Sequence, residues 1–293
     1  PLSLFGNRII SVRLMELIFL LVSMLCLYCG IREFGFSYTA SFASVVFFLG
    51  LFFTPTFFEG GNMTEEYGTH FLIFSFCTIS FLNKQMPKNS AFALVFVSGV
   101  FFAESFLLKE PFIINAPAYF LLLYFLSPDH KSFLKNIAFF ITGIVISVLV
   151  LILANYNVLK GWFDVTDYNF YYSSMGGSIF SRVANGIKMF FSWYLPHNII
   201  LPMMITCSII AHFFTKQPLI PASNKCKKVF FIFAISLYIT ALLSIFLCGR
   251  FFGHYFLMIV FPTALILAIL FEFSIKYFPV KILIYSSILV LFL

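Results

Sequence analysis

Long runs of Phe, Leu, Ile and Val dominate the chain, separated by short stretches that hold most of its charged and turn-forming residues. A run of about 20 apolar residues matches a helix crossing the hydrocarbon of a bilayer, where helices and closed barrels alone satisfy every backbone polar group. Ten such runs are read, at 14–30, 36–53, 67–82, 90–108, 112–126, 134–155, 197–215, 228–248, 254–273 and 280–293, the fifth short for a full span and the last cut short. The strict apolar/polar alternation of barrel strands is missing from these runs. The pattern predicts an all-α integral membrane fold of about ten transmembrane helices. Residues 1–293 read as a single polytopic membrane domain, incomplete at both ends, because the chain starts at Pro1 and stops at Leu293 inside an apolar run. Residues 156–197 read as an extracytoplasmic loop: 179–193 places Arg182, Asn185 and Lys188 against Val183, Ile187, Phe190 and Phe191 at near-helical spacing, as in a helix lying on the bilayer surface.

Composition removes the soluble alternative. Hydrophobic residues make up 61% of the 293 and charged ones 10%, against roughly 45–50% and about 25% in a soluble domain. The net charge of +7 does not point to nucleic acid, because the basic residues fall singly between apolar runs and form no stripe. When alternate loops are assigned to opposite sides, eleven of the eighteen Lys and Arg fall on one side, among them Lys84, Lys88, Lys131, Lys135 and Lys225. That side is predicted to be cytoplasmic. Its connections 83–89 and 127–135 hold only topology charges and turn residues, so chemistry is expected at the opposite, outward face. The six cysteines have no disulfide or zinc spacing and read as small packing residues.

Four outward stretches carry candidate chemistry. In 59–70, Glu59, Glu65, Glu66 and His70 gather at the mouth of the third span. Thr64 as an N-cap with Glu65 and Glu66 against the helix dipole is one reading; a carboxylate that orients an acceptor or partners a cation is the other. In Gly249-Arg250-Phe251-Phe252-Gly253-His254-Tyr255, a guanidinium at the membrane boundary suits a phosphate, with His254 and Tyr255 as further donors. Snorkelling of Arg250 to headgroups is the alternative. Glu104 lies about a turn inside the membrane with Lys109 five residues on, either as its neutralising partner or as a phosphate ligand. In 162–172, Asp167 and Asn169 lie among aromatic residues, as in a sugar site or an interfacial helix. There is no phosphate-cradling glycine loop, metal-spaced His/Cys cluster or nucleophile elbow; no cofactor is predicted, and a divalent metal is left open.

Three stretches, 4–13, 62–66 and 249–262, give the chain a resemblance to the polytopic lipid-phosphate-sugar glycosyltransferases of the GT-C fold, which include protein O-mannosyltransferases and bacterial aminoarabinose transferases. The Gly-Arg-aromatic-aromatic-Gly-His-Tyr turn is the most specific of them. The resemblance implies a polyprenyl-phosphate sugar donor, a lipid, glycan or protein acceptor, inversion at the anomeric carbon, and a bacterial inner membrane with a periplasmic or extracellular active face. It also places the family's first-loop acid in a segment upstream of Pro1. On this basis Glu65 and Glu66 are the expected catalytic carboxylates, Arg250, His254, Tyr255 and Lys109 the donor-phosphate ligands, and Asp167 and Asn169 the sugar or acceptor ligands, with no metal ligand and no nucleic-acid partner. A lipid-linked oligosaccharide polymerase or ligase, and a non-catalytic transporter or flippase, are the competing readings.

Overall fold

A computed structural model describes residues 9–54, 64–84, 87–154, 160–161, 163–164, 177–197, 200–216, 218–220, 224–248 and 253–275. Among these, helix is the only regular structure. The main helices are α1 (Ile9–Glu33), α2 (Tyr38–Phe52), α3 (Thr64–Ser80), α4 (Lys88–Leu108), α5 (Ala116–Leu126), α6 (His130–Ala154), α7 (Ile179–Met189), α8 (Ile200–Thr215), α9 (Lys225–Cys248) and α10 (Val260–Ser274). Nine of the ten apolar runs fall on them, and 280–293 lies outside the described residues. Two runs begin differently from expectation: tight 3-10 segments, Glu110–Asn115 and Gly253–Ile259, lead into α5 and α10. In the first, Pro111 occupies an opening position where its missing N–H breaks no helical bond.

Five described helices are long and apolar enough to cross a membrane: Ser11–Glu33, Lys88–Leu108, His130–Ala154, Lys225–Leu247 and His254–Ser274. The last is the hub. Its most apolar stretch is 94% buried, against 17% for that of α6, and it packs on α2, α8 and α9 while the 3-10 turn before it meets α3. The outer helices instead expose Leu17, Leu21 and Leu25 of α1 and Val145, Leu149 and Leu153 of α6. Such faces are stable only in lipid, so the protein is an all-α, multi-pass membrane protein.

Packing combines aromatic stacking with close approach at small residues. Phe76 stacks on Phe34 and Phe233 at 6.1 and 5.4 Å between ring centroids, tying α3 to α9 and to the end of α1. Where α4 crosses α6, a Cβ on Gly99 would strike the Phe140 carbonyl and one on Gly143 the Phe96 carbonyl, so the two backbones meet directly. Polar side chains fix the register from helix to helix. The Ser75 and Ser98 hydroxyls lie 2.8 Å apart between α3 and α4, and the Tyr119 hydroxyl of α5 donates to the Leu72 carbonyl of α3 at 2.6 Å. The surface helix α7 is held on α9 by Gly186 beneath Phe246 and is N-capped by Ser178. Ile179 and Phe180 of α7 and Phe191 just after it are exposed. Cys26, Cys29, Cys77 and Cys226 are free thiols.

Candidate active site at the Glu65 end

Three segments distant in sequence meet at one end of the bundle: the start of α3, the break after α4, and the 3-10 turn that feeds α10. The break falls where Lys109 leaves the helix in extended conformation (φ −153°, ψ 113°), two residues before Pro111. Gly68 brings α3 against the following turn, since a Cβ there would collide with the ring of Phe112. Thr69 holds α3 to the α10 entrance: its hydroxyl donates to the Glu65 carbonyl at 2.8 Å and approaches the Leu257 carbonyl at 3.4 Å.

These constraints place the Lys109 ammonium 3.1 Å from Glu65 Oε1, with the Glu65 side chain 2% and the Lys109 side chain 19% exposed. The imidazole Nε2 of His254 lies 4.0 Å from the same oxygen. Glu65 Oε2 accepts from the Thr64 hydroxyl at 3.0 Å. Thr64 is the first residue of α3, and its hydroxyl turns to the neighbouring carboxylate. The Lys109 ammonium also sits 5.0 Å above the Tyr255 ring, in cation–π range. Burial works to lower the pKa of Lys109, but the Glu65 carboxylate, the Tyr255 phenol and Glu110 outweigh it, and the pKa sits above the ordinary lysine value.

Glu66 is buried beside Glu65. A one-residue step turns a helical side chain by about 100°, so Glu66 faces another neighbourhood and lies within electrostatic reach of Arg13. Glu16 of α1, not singled out by the sequence, belongs to this second group: it pairs with Arg13 at 2.8 Å and acts electrostatically on Tyr67 and His70. The available signal was an acid three residues after an arginine within an apolar run. His70 points away from the mouth, with Nδ1 2.8 Å from the Ser23 hydroxyl.

One local expectation is corrected. Lys109 does not neutralise Glu104; it pairs with Glu65, and Glu104 accepts a hydrogen bond from the Ser147 hydroxyl of α6. A residue five positions on lies across the helix from its start rather than above it, and Lys109 has already left the helix. The sequence also did not assign a positioning role to Arg182, whose guanidinium donates to the Leu247 carbonyl at 3.1 Å and so anchors the end of α9. Arg250, Asp167 and Asn169 lie outside the described residues. Among the described residues no three His, Cys, Asp or Glu side chains are grouped as metal donors.

The described residues form an apolar helical bundle in which a buried carboxylate, an ammonium and an imidazole converge at one end. Residues 2–155, more than half of the chain, match the dolichyl-phosphate-mannose-protein mannosyltransferase family. The chain belongs to this family and is a mannosyltransferase-like membrane glycosyltransferase. The match includes Glu65, Glu66 and Lys109 and ends before His254 and Tyr255. No curated protein and no solved structure matches the chain.

Proposed function

We propose that the Glu65 end is the active face of a glycosyltransferase that takes its sugar from a polyprenyl-phosphate donor and works on the extracytoplasmic side of a bacterial inner membrane. The observation that carries this reading is the convergence of Lys109 and His254 on Glu65, with the Tyr255 ring beneath the Lys109 ammonium, from segments far apart in sequence. In the reaction an acceptor hydroxyl oxygen attacks the anomeric carbon and gives its proton to a carboxylate of the site, the bond from that carbon to the phosphate oxygen breaks with inversion, and the bonding pair leaves on the phosphate. Negative charge accumulates on the departing group, so a fixed ammonium at that position stabilises the transition state more than the ground state.

Lys109 supplies that charge, His254 and Tyr255 are the neighbouring donors, and Arg250 joins them from the 249–252 stretch. Glu65 orients Lys109 and the incoming acceptor, and Glu66, which faces the Arg13 side of α3, is the second proposed carboxylate. Asp167 and Asn169 are the proposed contacts to the sugar or acceptor. The acceptor is a hydroxyl of a lipid, glycan or protein.

The test is transfer of a radiolabelled sugar from a synthetic polyprenyl-phosphate donor by the full-length protein in proteoliposomes. Arg250→Ala and Glu65→Gln are expected to abolish transfer while leaving expression intact; retained transfer in both would overturn the site assignment.

A further inference from the structure

At the end of the bundle opposite Glu65, Lys84, Lys88, Lys131, Lys135 and Lys225 surround one cleft of about 660 Å³. They come from the α3–α4 connection, the start of α4, the first turns of α6 and the start of α9. The sequence assigns most of these lysines to membrane topology, a role that needs them only on the correct side. Topology does not require five of them to share one concavity.

The cleft's acidic complement is small. Lys84 pairs with Glu33 at 2.8 Å, whereas the salt bridges among the described residues include none of Lys88, Lys131, Lys135 and Lys225. Asp129 lines the cleft, but it is engaged as the N-cap of α6: Oδ1 accepts the Ser132 N–H at 2.7 Å and Oδ2 the Ser132 hydroxyl at 3.0 Å. Helices α4, α6 and α9 all begin here, and α4 does so without a side-chain cap. Their positive ends add to the ammonium charge, although acids are the residues favoured at such positions. Below the lysines the wall is apolar, formed by Phe92, Phe125 and Val229.

We propose that this cleft binds the phosphate headgroup of an anionic phospholipid, with the lysines on the phosphate and the apolar wall against the glycerol and upper acyl chain. Basic pockets between membrane helices recognise such headgroups through this combination of charge and apolar depth. The inference does not depend on the glycosyl-transfer reading.

The experiment titrates phosphatidylglycerol into the full chain held in phosphatidylcholine nanodiscs and follows its thermal midpoint. Phosphatidylglycerol is expected to raise the midpoint, and Lys131→Gln with Lys135→Gln to weaken its apparent affinity by about fivefold per lysine removed. Lys216→Gln with Lys228→Gln removes equal charge near the same end but outside the cleft, and is expected to weaken the affinity clearly less than Lys131→Gln with Lys135→Gln. The variants' midpoints in pure phosphatidylcholine check folding. If Lys131→Gln with Lys135→Gln lowers that midpoint, Lys88→Gln alone is read instead, with the same expected loss per lysine. Equal loss in both double variants, or none in the first, would overturn the site. An equal midpoint rise with inorganic phosphate in lipid-free detergent would assign the cleft to free phosphate and overturn the lipid.

Discussion

The two ends of the bundle each hold a carboxylate against an ammonium, and the two pairs are built differently. At the lysine-rich end, Glu272 of α10 takes Lys227 on Oε1 at 2.6 Å, while Oε2 accepts the Ser37 hydroxyl at 2.5 Å and the Ser37 N–H at 3.1 Å. Ser37 in turn N-caps α2 by accepting from the Ala40 N–H, and the Lys227 ammonium covers the Phe36 ring. Each partner there fixes the start or end of a helix, which makes the pair a structural joint between α2, α9 and α10. At the other end Glu65 has the Thr64 hydroxyl, Lys109 as an ion pair, and a histidine at 4.0 Å, beyond hydrogen-bond reach. That pair sits where chain segments break rather than where helices are capped. The same two residue types therefore serve as a joint where directed donors saturate the carboxylate, and as candidate binding chemistry where cationic groups gather around it.

Substitutions that treat the two ends alike should separate them. The largest effect is expected at Lys109→Met, which should lower transfer about 10²- to 10³-fold, the loss typical of removing one preorganised charge-stabilising group; a labelled-donor assay reads it. The pH dependence sharpens this. Because Lys109 titrates above its ordinary value of 10.5, its pairing with Glu65 is fully present below that value and is lost only as pH rises through the higher folded value. A pH–rate profile should accordingly show no Lys109-dependent decline between about pH 6 and 9.

Next in size, Lys227→Met leaves a largely buried Glu272 uncompensated and should destabilise the fold by about 3 kcal/mol, while transfer per folded molecule stays within about twofold. Denaturant or thermal unfolding in detergent reads the first, and assay normalised to folded protein the second. Gly68→Ala drives a methyl into the Phe112 ring and should cost about 1–3 kcal/mol by overpacking. It also shifts Glu65 from Lys109, so transfer should fall with it. The smallest effect is expected at Tyr119→Phe, which removes one interhelical hydrogen bond and should cost about 0.6 kcal/mol, as such bonds do on average in membranes.

The helices were legible because lipid demands unbroken apolar length, and the gathering of 65, 109 and 254 at one end follows from counting spans. Pairing was harder to read. Sequence spacing offered Glu104 as one partner for Lys109 and a phosphate as the other, but the extended break at Lys109 and the Gly68–Phe112 contact place it on Glu65, and neither leaves a periodic signal. Glu16 escaped notice because one acid inside an apolar run reads as a boundary charge until α1 packs on α3. The lysines of 83–89 and 127–135 read as charges of one membrane side, yet their common cleft depends on how α4, α6 and α9 start together.

The most direct test of the central claim, that the Glu65–Lys109 pair is functional and the Glu272–Lys227 pair structural, compares two neutralised pairs in the full-length protein. Lys109→Met with Glu65→Gln, and Lys227→Met with Glu272→Gln, each remove both charges, so neither leaves a buried ion alone. With both folded by thermal midpoint, the account predicts that the first has lost transfer about 10²-fold or more and the second has kept it. Comparable transfer in the two would contradict it.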